Sequence, residues 1–172
     1  MSKAEAGGKP AVFLDRDGTI NVEKNYLHRI EDFEFIPGVP DAIRQLNQAG
    51  YLVLVVTNQS GVARGYVSLA EVDALHRHMV QCLAEYGARI DGFYVCPHHP
   101  TAGQGALRRD CSCRKGQPGL LLQAADAHGV DLGRSYMIGD KAADMEAGLQ
   151  AGCSPLLVLT GYGCKRPPLN WA

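Results

Sequence analysis

Short apolar runs alternate along this chain with segments whose apolar residues recur at helical spacing. Ala11-Val12-Phe13-Leu14 is a continuous run of the kind expected of a strand covered on both faces. From Gly38 to Gly50 the apolar residues Val39, Ile43 and Leu46 share one helical face, with Gly50 as the stop. Tyr51 to Val56 is β-branched and uninterrupted, a second strand. Ser68-Leu-Ala-Glu71 has the form of a capping box and opens a helix with Leu69, Val72, Leu75, Met79, Val80 and Leu83 as its apolar positions. Ile90 to Val95 forms a third strand. After the aperiodic stretch Cys96 to Gly116, Pro118 leads a helix over Leu120 to His128 that Gly129 ends. Ser135 to Gly139 is a strand, Ala142 to Ala151 a helix and Pro155 to Leu159 a last strand. Strands separated by helices imply a mostly parallel sheet with right-handed crossovers, an α/β domain in three layers.

The 172 residues fit one domain, 1–172, with a loose polar arm over 1–9 and a long loop over 96–116. A net charge of −1 offers no cationic field for a nucleic-acid backbone, and no apolar run is long enough to span a bilayer. Met1 to Pro10 contains no apolar stretch before a cleavage site, so the expected compartment is the cytoplasm. The six cysteines at 82, 96, 111, 113, 153 and 164 therefore point to metal binding rather than disulfides.

In open parallel sheets ligands bind beyond the carboxyl ends of the strands. Three polar clusters follow the apolar runs there: Asp15-Arg-Asp17-Gly, Thr57-Asn-Gln-Ser-Gly61 and Gly139-Asp140-Lys141. In an extended segment Asp15 and Asp17 project to one face. A calcium loop needs Gly at its sixth position and Glu at its twelfth, whereas here Gly18 is fourth and Tyr26 twelfth. Mg²⁺ instead takes one or two carboxylates, waters and a substrate phosphate, and Asp15 and Asp140 are the natural pair from neighbouring strand ends. A carboxylate can attack phosphorus to give an aspartyl-phosphate, with Asp17 placed to protonate the leaving alkoxide and then activate water. Thr57 offers a hydroxyl to the phosphoryl oxygens, and Lys115, just before the Pro118 helix, a cation.

Cys96-Pro-His98 and Cys111-Ser-Cys113 place three thiolates and an imidazole at the two ends of one loop, a set suited to tetrahedral Zn²⁺. His98 is preferred to His99 because C-x-H mirrors C-x-C. With every position filled by protein, such an ion is structural. It would order the loop and with it Arg114 and Lys115, which follow Cys113 directly. Cys82 and Cys153 are expected as small core residues, and Cys164 has no evident partner.

Asp15-x-Asp17-Gly-Thr, Thr57-Asn, Lys115 and Gly139-Asp140-x-x-x-Asp144, in this order, resemble the four motifs of the haloacid dehalogenase-like phosphotransferases. The resemblance implies a Rossmann-like three-layer α/β/α sandwich. It makes Asp15 the nucleophile and Asp17 the general acid/base. Thr57 and Lys115 then hold the phosphoryl group, and Mg²⁺ is bound by the Asp15 carboxylate, the Asp17 backbone carbonyl and Asp140. Asp144 either supports Lys115 or the metal's waters, or caps the following helix.

Asp15 to Asn21, Thr57 to Gly61 with Arg64-Gly65, and the C-x-H…C-x-C loop with Arg114-Lys115 resemble a narrower group. It comprises the small sugar bisphosphate and histidinol-phosphate phosphatases, which lack a separate cap domain. Rim loops must then select the substrate. Glu23, Lys24, Asn25 and Tyr26 after the first motif, Asn58, Gln59 and Ser60 after the second, and Lys141 are the candidates, with Arg114 for a second, non-reacting phosphate. Arg64, Arg108, Arg109 and Arg114 favour an anionic sugar bisphosphate over cationic histidinol phosphate. A reading of another class is a non-catalytic, zinc-stabilised binding module. The expected partner is a small sugar phosphate, bound by a monomer.

Overall fold

The computed structural model describes residues 7–165. Its elements in chain order are β1 (Ala11–Leu14), α1 (Val39–Gln48), β2 (Leu52–Asn58), α2 (Leu69–Glu85), β3 (Gly92–Cys96), α3 (Gly119–His128), β4 (Tyr136–Gly139), α4 (Ala142–Ala151) and β5 (Ser154–Leu157). All strand pairs are parallel, in the order β3-β2-β1-β4-β5. Successive strands run outward from β1 to one side, and β4 and β5 continue on the other. The order therefore reverses between β1 and β4, where an open sheet leaves its crevice.

The strand period of two builds both faces of the core. Val12, Leu14, Val53 and Val55 pack with Ile43 of α1 and Met79 and Leu83 of α2. The alternate residues Ala11, Phe13, Leu54, Val56 and Met137 pack with Leu120, Leu121 and Ala124 of α3 and Ala147 and Ala151 of α4. The three layers follow from that alternation, and the runs are apolar throughout because both faces are covered. The capping box at Ser68 is present, with its hydroxyl accepting from Glu71 N at 3.1 Å and its N–H donating to Glu71 Oε2 at 2.7 Å.

Several boundaries differ from the expected ones. Strand β2 runs on through Thr57 and Asn58, because β3 pairs alongside as far as Asn58↔Cys96. Strand β5 is shifted to Ser154–Leu157, with Pro155 tolerated on a sheet edge. On α2 the buried stripe is Val72, Leu75, His76, Met79 and Leu83. Leu69 and Val80 are exposed instead of buried, Leu69 at the first turn and Val80 about 100° round from Met79. The expected arm is shorter at its inner end, where Lys9 donates to Gly129 O and accepts from Asp131 N, both at 2.9 Å. Residues 1–6 of that arm lie outside the described residues. No described helix is long and apolar enough to cross a membrane.

Candidate active site

Asp15 follows the last residue of β1, and its N–H donates to Ile138 O at 3.0 Å, extending the β1–β4 pairing into the crevice. Asp140 follows the end of β4, so the two carboxylates leave adjacent strands side by side. Both are buried, and one oxygen from each, with one from Asp144, lie within 4.8 Å of one another. Lys115 Nζ bridges this group, 2.5 Å from Asp15 Oδ1 and 2.7 Å from Asp144 Oδ1. Burial works against the ammonium, but the two carboxylates outweigh it and hold Lys115 firmly cationic.

Of the roles the sequence left open, Asp144 fills two, the support of Lys115 and the helix cap. Its Oδ1 holds Lys115, while its Oδ2 accepts the Lys141 N–H at 3.1 Å and caps α4. Asp140 is different. Oδ2 accepts from Tyr162 N at 2.8 Å, but the buried Oδ1 has no partner. Burial, reinforced by the neighbouring Asp15 charge, pushes its carboxyl up to about 7. A buried, unpartnered carboxylate oxygen beside a second carboxylate calls for a hard cation. The site therefore fits Mg²⁺ between Asp15 and Asp140. Gly18, at φ 85°, and Gly161, at φ 54°, let the backbone close over this carboxylate; a Cβ at either would collide with Asp140 Oδ2.

Asp17 is held by a different set of groups. Arg16 Nε and Nη2 and Asn21 Nδ2 donate to its Oδ1 at 3.2, 3.0 and 3.0 Å. Gln59 Nε2 donates to its Oδ2 at 2.9 Å and to Thr57 Oγ1 at 2.8 Å, tying the second motif to the first. Burial disfavours the carboxylate, yet the Arg16 charge and the hydrogen bonds from Asn21 and Gln59 keep the carboxyl below its ordinary range. Sequence reasoning passed over Arg16 and Asn21. Alternation could have flagged Arg16, since it has the parity of Val12 and Leu14, which face α1 and α2.

Asp15, Asp17, Glu23, Asn25, Tyr26, Gln59, Ser60, Gly61, Lys141 and Tyr162 line one cleft of about 180 Å³. A roomier hollow of about 460 Å³ shares Glu23, Asn25 and Tyr162 with it and has none of the motif carboxylates. Asn25 and Tyr26 stand at φ 48° and 55°, a tight left-handed pair at the rim. The Lys141 ammonium lies 4.7 Å over the Tyr162 ring, a wall of the cleft that carried no sequence signal.

Two rim expectations are corrected. Lys24 does not line the cleft; its ammonium pairs with Glu34 at 3.2 Å. Asn58 also turns away, because its Oδ1 accepts the Lys115 N–H at 2.9 Å and its Nδ2 approaches Lys115 O at 3.4 Å. It clamps the Lys115 backbone. Arg114, expected at a second phosphate, borders a separate depression with Lys115 and donates to His98 O at 3.1 Å, so its guanidinium is fastened to the cysteine loop.

Cys96 ends β3, and the loop beyond brings Cys111, Cys113 and His98 back to it. Cys96–Cys111, Cys113–Cys96 and Cys113–Cys111 sulfur separations are 3.6, 3.2 and 3.3 Å, and His98 Nδ1 is 3.3 Å from Cys113 Sγ. A tetrahedral ion about 2.3 Å from each sulfur sets spacings close to these. His99 is committed elsewhere, its Nδ1 accepting the Ala102 and Thr101 N–H groups at 2.9 and 3.2 Å. The four soft ligands fit Zn²⁺ with no open position. Of the other cysteines Cys153 is buried, Cys164 is exposed, and Cys82 is half-buried beside His78 at 3.5 Å rather than in the core.

Comparison with known proteins agrees with this geometry. The HAD-hydrolase-like family model matches residues 112–167. The chain is 49% identical over 153 residues to the D-glycero-beta-D-manno-heptose-1,7-bisphosphate 7-phosphatase of Escherichia coli K12, covering 88% of this chain and 80% of that one. It is 49% identical over 156 residues to the protein of the same name from Haemophilus ducreyi, covering 90% and 85%. The D,D-heptose 1,7-bisphosphate phosphatase of B. bronchiseptica, solved with magnesium and phosphate, superposes with a TM-score of 0.81 at 38% identity, covering 91% of this chain and 84% of that one. With motifs, fold and relatives in agreement, this chain belongs to the haloacid dehalogenase-like hydrolases, in the family of the heptose bisphosphate phosphatases.

Proposed function

We propose that this chain is a Mg²⁺-dependent phosphatase. It would remove the 7-phosphate of D-glycero-β-D-manno-heptose 1,7-bisphosphate, leaving the heptose 1-phosphate used to build nucleotide-heptose and lipopolysaccharide. The observation that carries this reading is the pairing of Asp15 with Asp140, whose buried Oδ1 lacks a partner, beside an ammonium shared by Asp15 and Asp144. The relatives named above supply the substrate and its anomer.

Mg²⁺ held by the Asp15 carboxylate, the Asp17 backbone carbonyl and Asp140 would offset the repulsion between the nucleophile and the phosphate dianion. Lys115, paired with Asp15, adds positive charge at the transferring group. The Asp15 carboxylate attacks phosphorus and the bond to the sugar oxygen breaks, leaving an aspartyl-phosphate on Asp15. Asp17 gives its proton to the departing alkoxide. The incoming dianion beside Asp17 raises its hold on that proton, against the pull of Arg16. Asp17 then takes a proton from the water that releases phosphate and regenerates Asp15. Thr57 holds a phosphoryl oxygen, while Glu23, Asn25, Tyr26, Gln59, Ser60 and Lys141 border the sugar. Arg114 meets the second phosphate from the zinc loop.

We take the protein to work as a cytoplasmic monomer without nucleic-acid or membrane partners. Its net charge of −1 and its unpaired thiols support that reading. The test is phosphate release from heptose 1,7-bisphosphate, heptose monophosphates and histidinol phosphate with Mg²⁺. The bisphosphate should be turned over fastest, and Asp15→Asn should abolish turnover. Faster release from histidinol phosphate, or an active Asp15→Asn protein, contradicts the proposal.

A further inference from the structure

Helix α2 buries one polar side chain within its apolar stripe. His76 lies between Val72 and Met79 on the face turned to the sheet, and its ring stacks on Phe93 of β3 at 4.4 Å and 15°. No motif accounts for it. Its Nε2 lies 3.2 Å from Nη1 of Arg16, a guanidinium with no exposed surface. Arginine has no acceptor, so Nε2 must accept and the ring's proton must be on Nδ1. Burial, and then the Arg16 charge, push the imidazole down to about 3, so at neutral pH it is the uncharged acceptor this contact requires.

The remaining donors of the guanidinium point the other way. Nε and Nη2 reach the Asp17 carboxylate, so Arg16 sits between His76 on one side and Asp17 on the other. A planar fork that bonds at both ends cannot rotate without losing one of them. We propose that His76 is a positioning residue for the phosphatase reaction, accepting a hydrogen bond that locks Arg16 and thereby aims the Asp17 carboxylate into the cleft.

The inference rests on Asp17 as the acid/base of the proposed function. Wild-type turnover and its loss in Asp17→Asn test that assignment separately. His76→Phe keeps the ring and the stack on Phe93 but removes the acceptor. His76→Gln places an amide oxygen at about the reach of Nε2. With Mg²⁺ and zinc supplied, His76→Phe should lower kcat roughly tenfold with KM little changed, as expected when a catalytic group is misplaced. His76→Gln should recover most of that loss, with circular dichroism showing both variants folded. If His76→Phe does not fold, His76→Asn, whose amide stops one bond short of Arg16, takes its place. A folded Phe or Asn variant with wild-type kcat, or a Gln variant as slow as either, overturns the inference.

Discussion

The four soft ligands at 96, 98, 111 and 113 come from one loop of eighteen positions, whereas the hard site draws Asp15, Asp17, Thr57, Lys115 and Asp140 from across the chain. Lys115 meets Asp15 over 100 positions and Asn58 over 57. The loop site needs only one chain reversal and an ion, since its residues have no apolar periodicity to order them. The carboxylate site needs the sheet, because only parallel strands ending on one rim bring like charges together against their repulsion. The two regions join at Cys113-Arg114-Lys115. On the proposed reading, a metal in the loop would also order Lys115, and Asn58 holds the Lys115 backbone from the sheet side.

Breaking the soft site tests the connection most severely. Cys111→Ala should lose its zinc and drop phosphate release about 100-fold, since Lys115 and Arg114 lose their anchor. Metal analysis and a turnover assay on the same sample check this, and full activity in zinc-free protein sinks it. The hold on Lys115 from the sheet side should matter less. Asn58→Ala removes both hydrogen bonds to the Lys115 backbone at a cost of about 1–3 kcal/mol. It should lower turnover about tenfold while zinc content stays at the wild-type level. An unchanged rate would show that the loop alone places Lys115.

Arg114→Ala separates the two regions by substrate. The bisphosphate should lose affinity by about tenfold, in line with one charged hydrogen-bonding partner, and a monophosphate much less. Equal losses in KM would place Arg114 in the loop's architecture rather than in recognition.

The smallest effect concerns the interior support of the hard site and is read in stability. The unfolded chain protonates His76 near its ordinary 6.5, the folded chain only near 3. Between those values the unfolded state binds the extra proton, so the stability present above pH 6.5 falls as pH falls. The difference between wild type and His76→Gln should shrink by about 1–2 kcal/mol from pH 6.5 to 5. Denaturant melts at the two pH values measure it, and parallel changes in both proteins exclude the buried imidazole as the cause.

Much of this was written in local patterns. Strand runs and capping signals laid out the α/β order, because a buried parallel strand and an amphipathic helix each have a period visible over a few residues. The cysteine loop was legible for the same reason, its ligands being close in sequence and distinctive in type. Asp15, Asp17 and Asp140 could be placed on one rim because a parallel sheet gathers whatever follows its strands, and Thr57 because it stands at the end of β2. Side-chain direction was less visible. Lys24 and Asn58 were expected at the substrate, but Glu34 captures one and the Lys115 backbone the other. Both are polar residues on a rim, and only the nearest partner decides which way such a side chain turns.

The order of strands and helices, the thiol cluster and the carboxylate motifs were determined by the sequence alone, since each depends on neighbours in the chain. The tertiary structure decided that Asp144 both grips Lys115 and caps α4, that Gly161 closes over Asp140, and that His76 reaches Arg16 across 60 positions. Those assignments depend on which buried donor finds which buried acceptor. Packing settles that, because an unpaired polar group in the core is costly and each one takes the partner that the fold brings within reach.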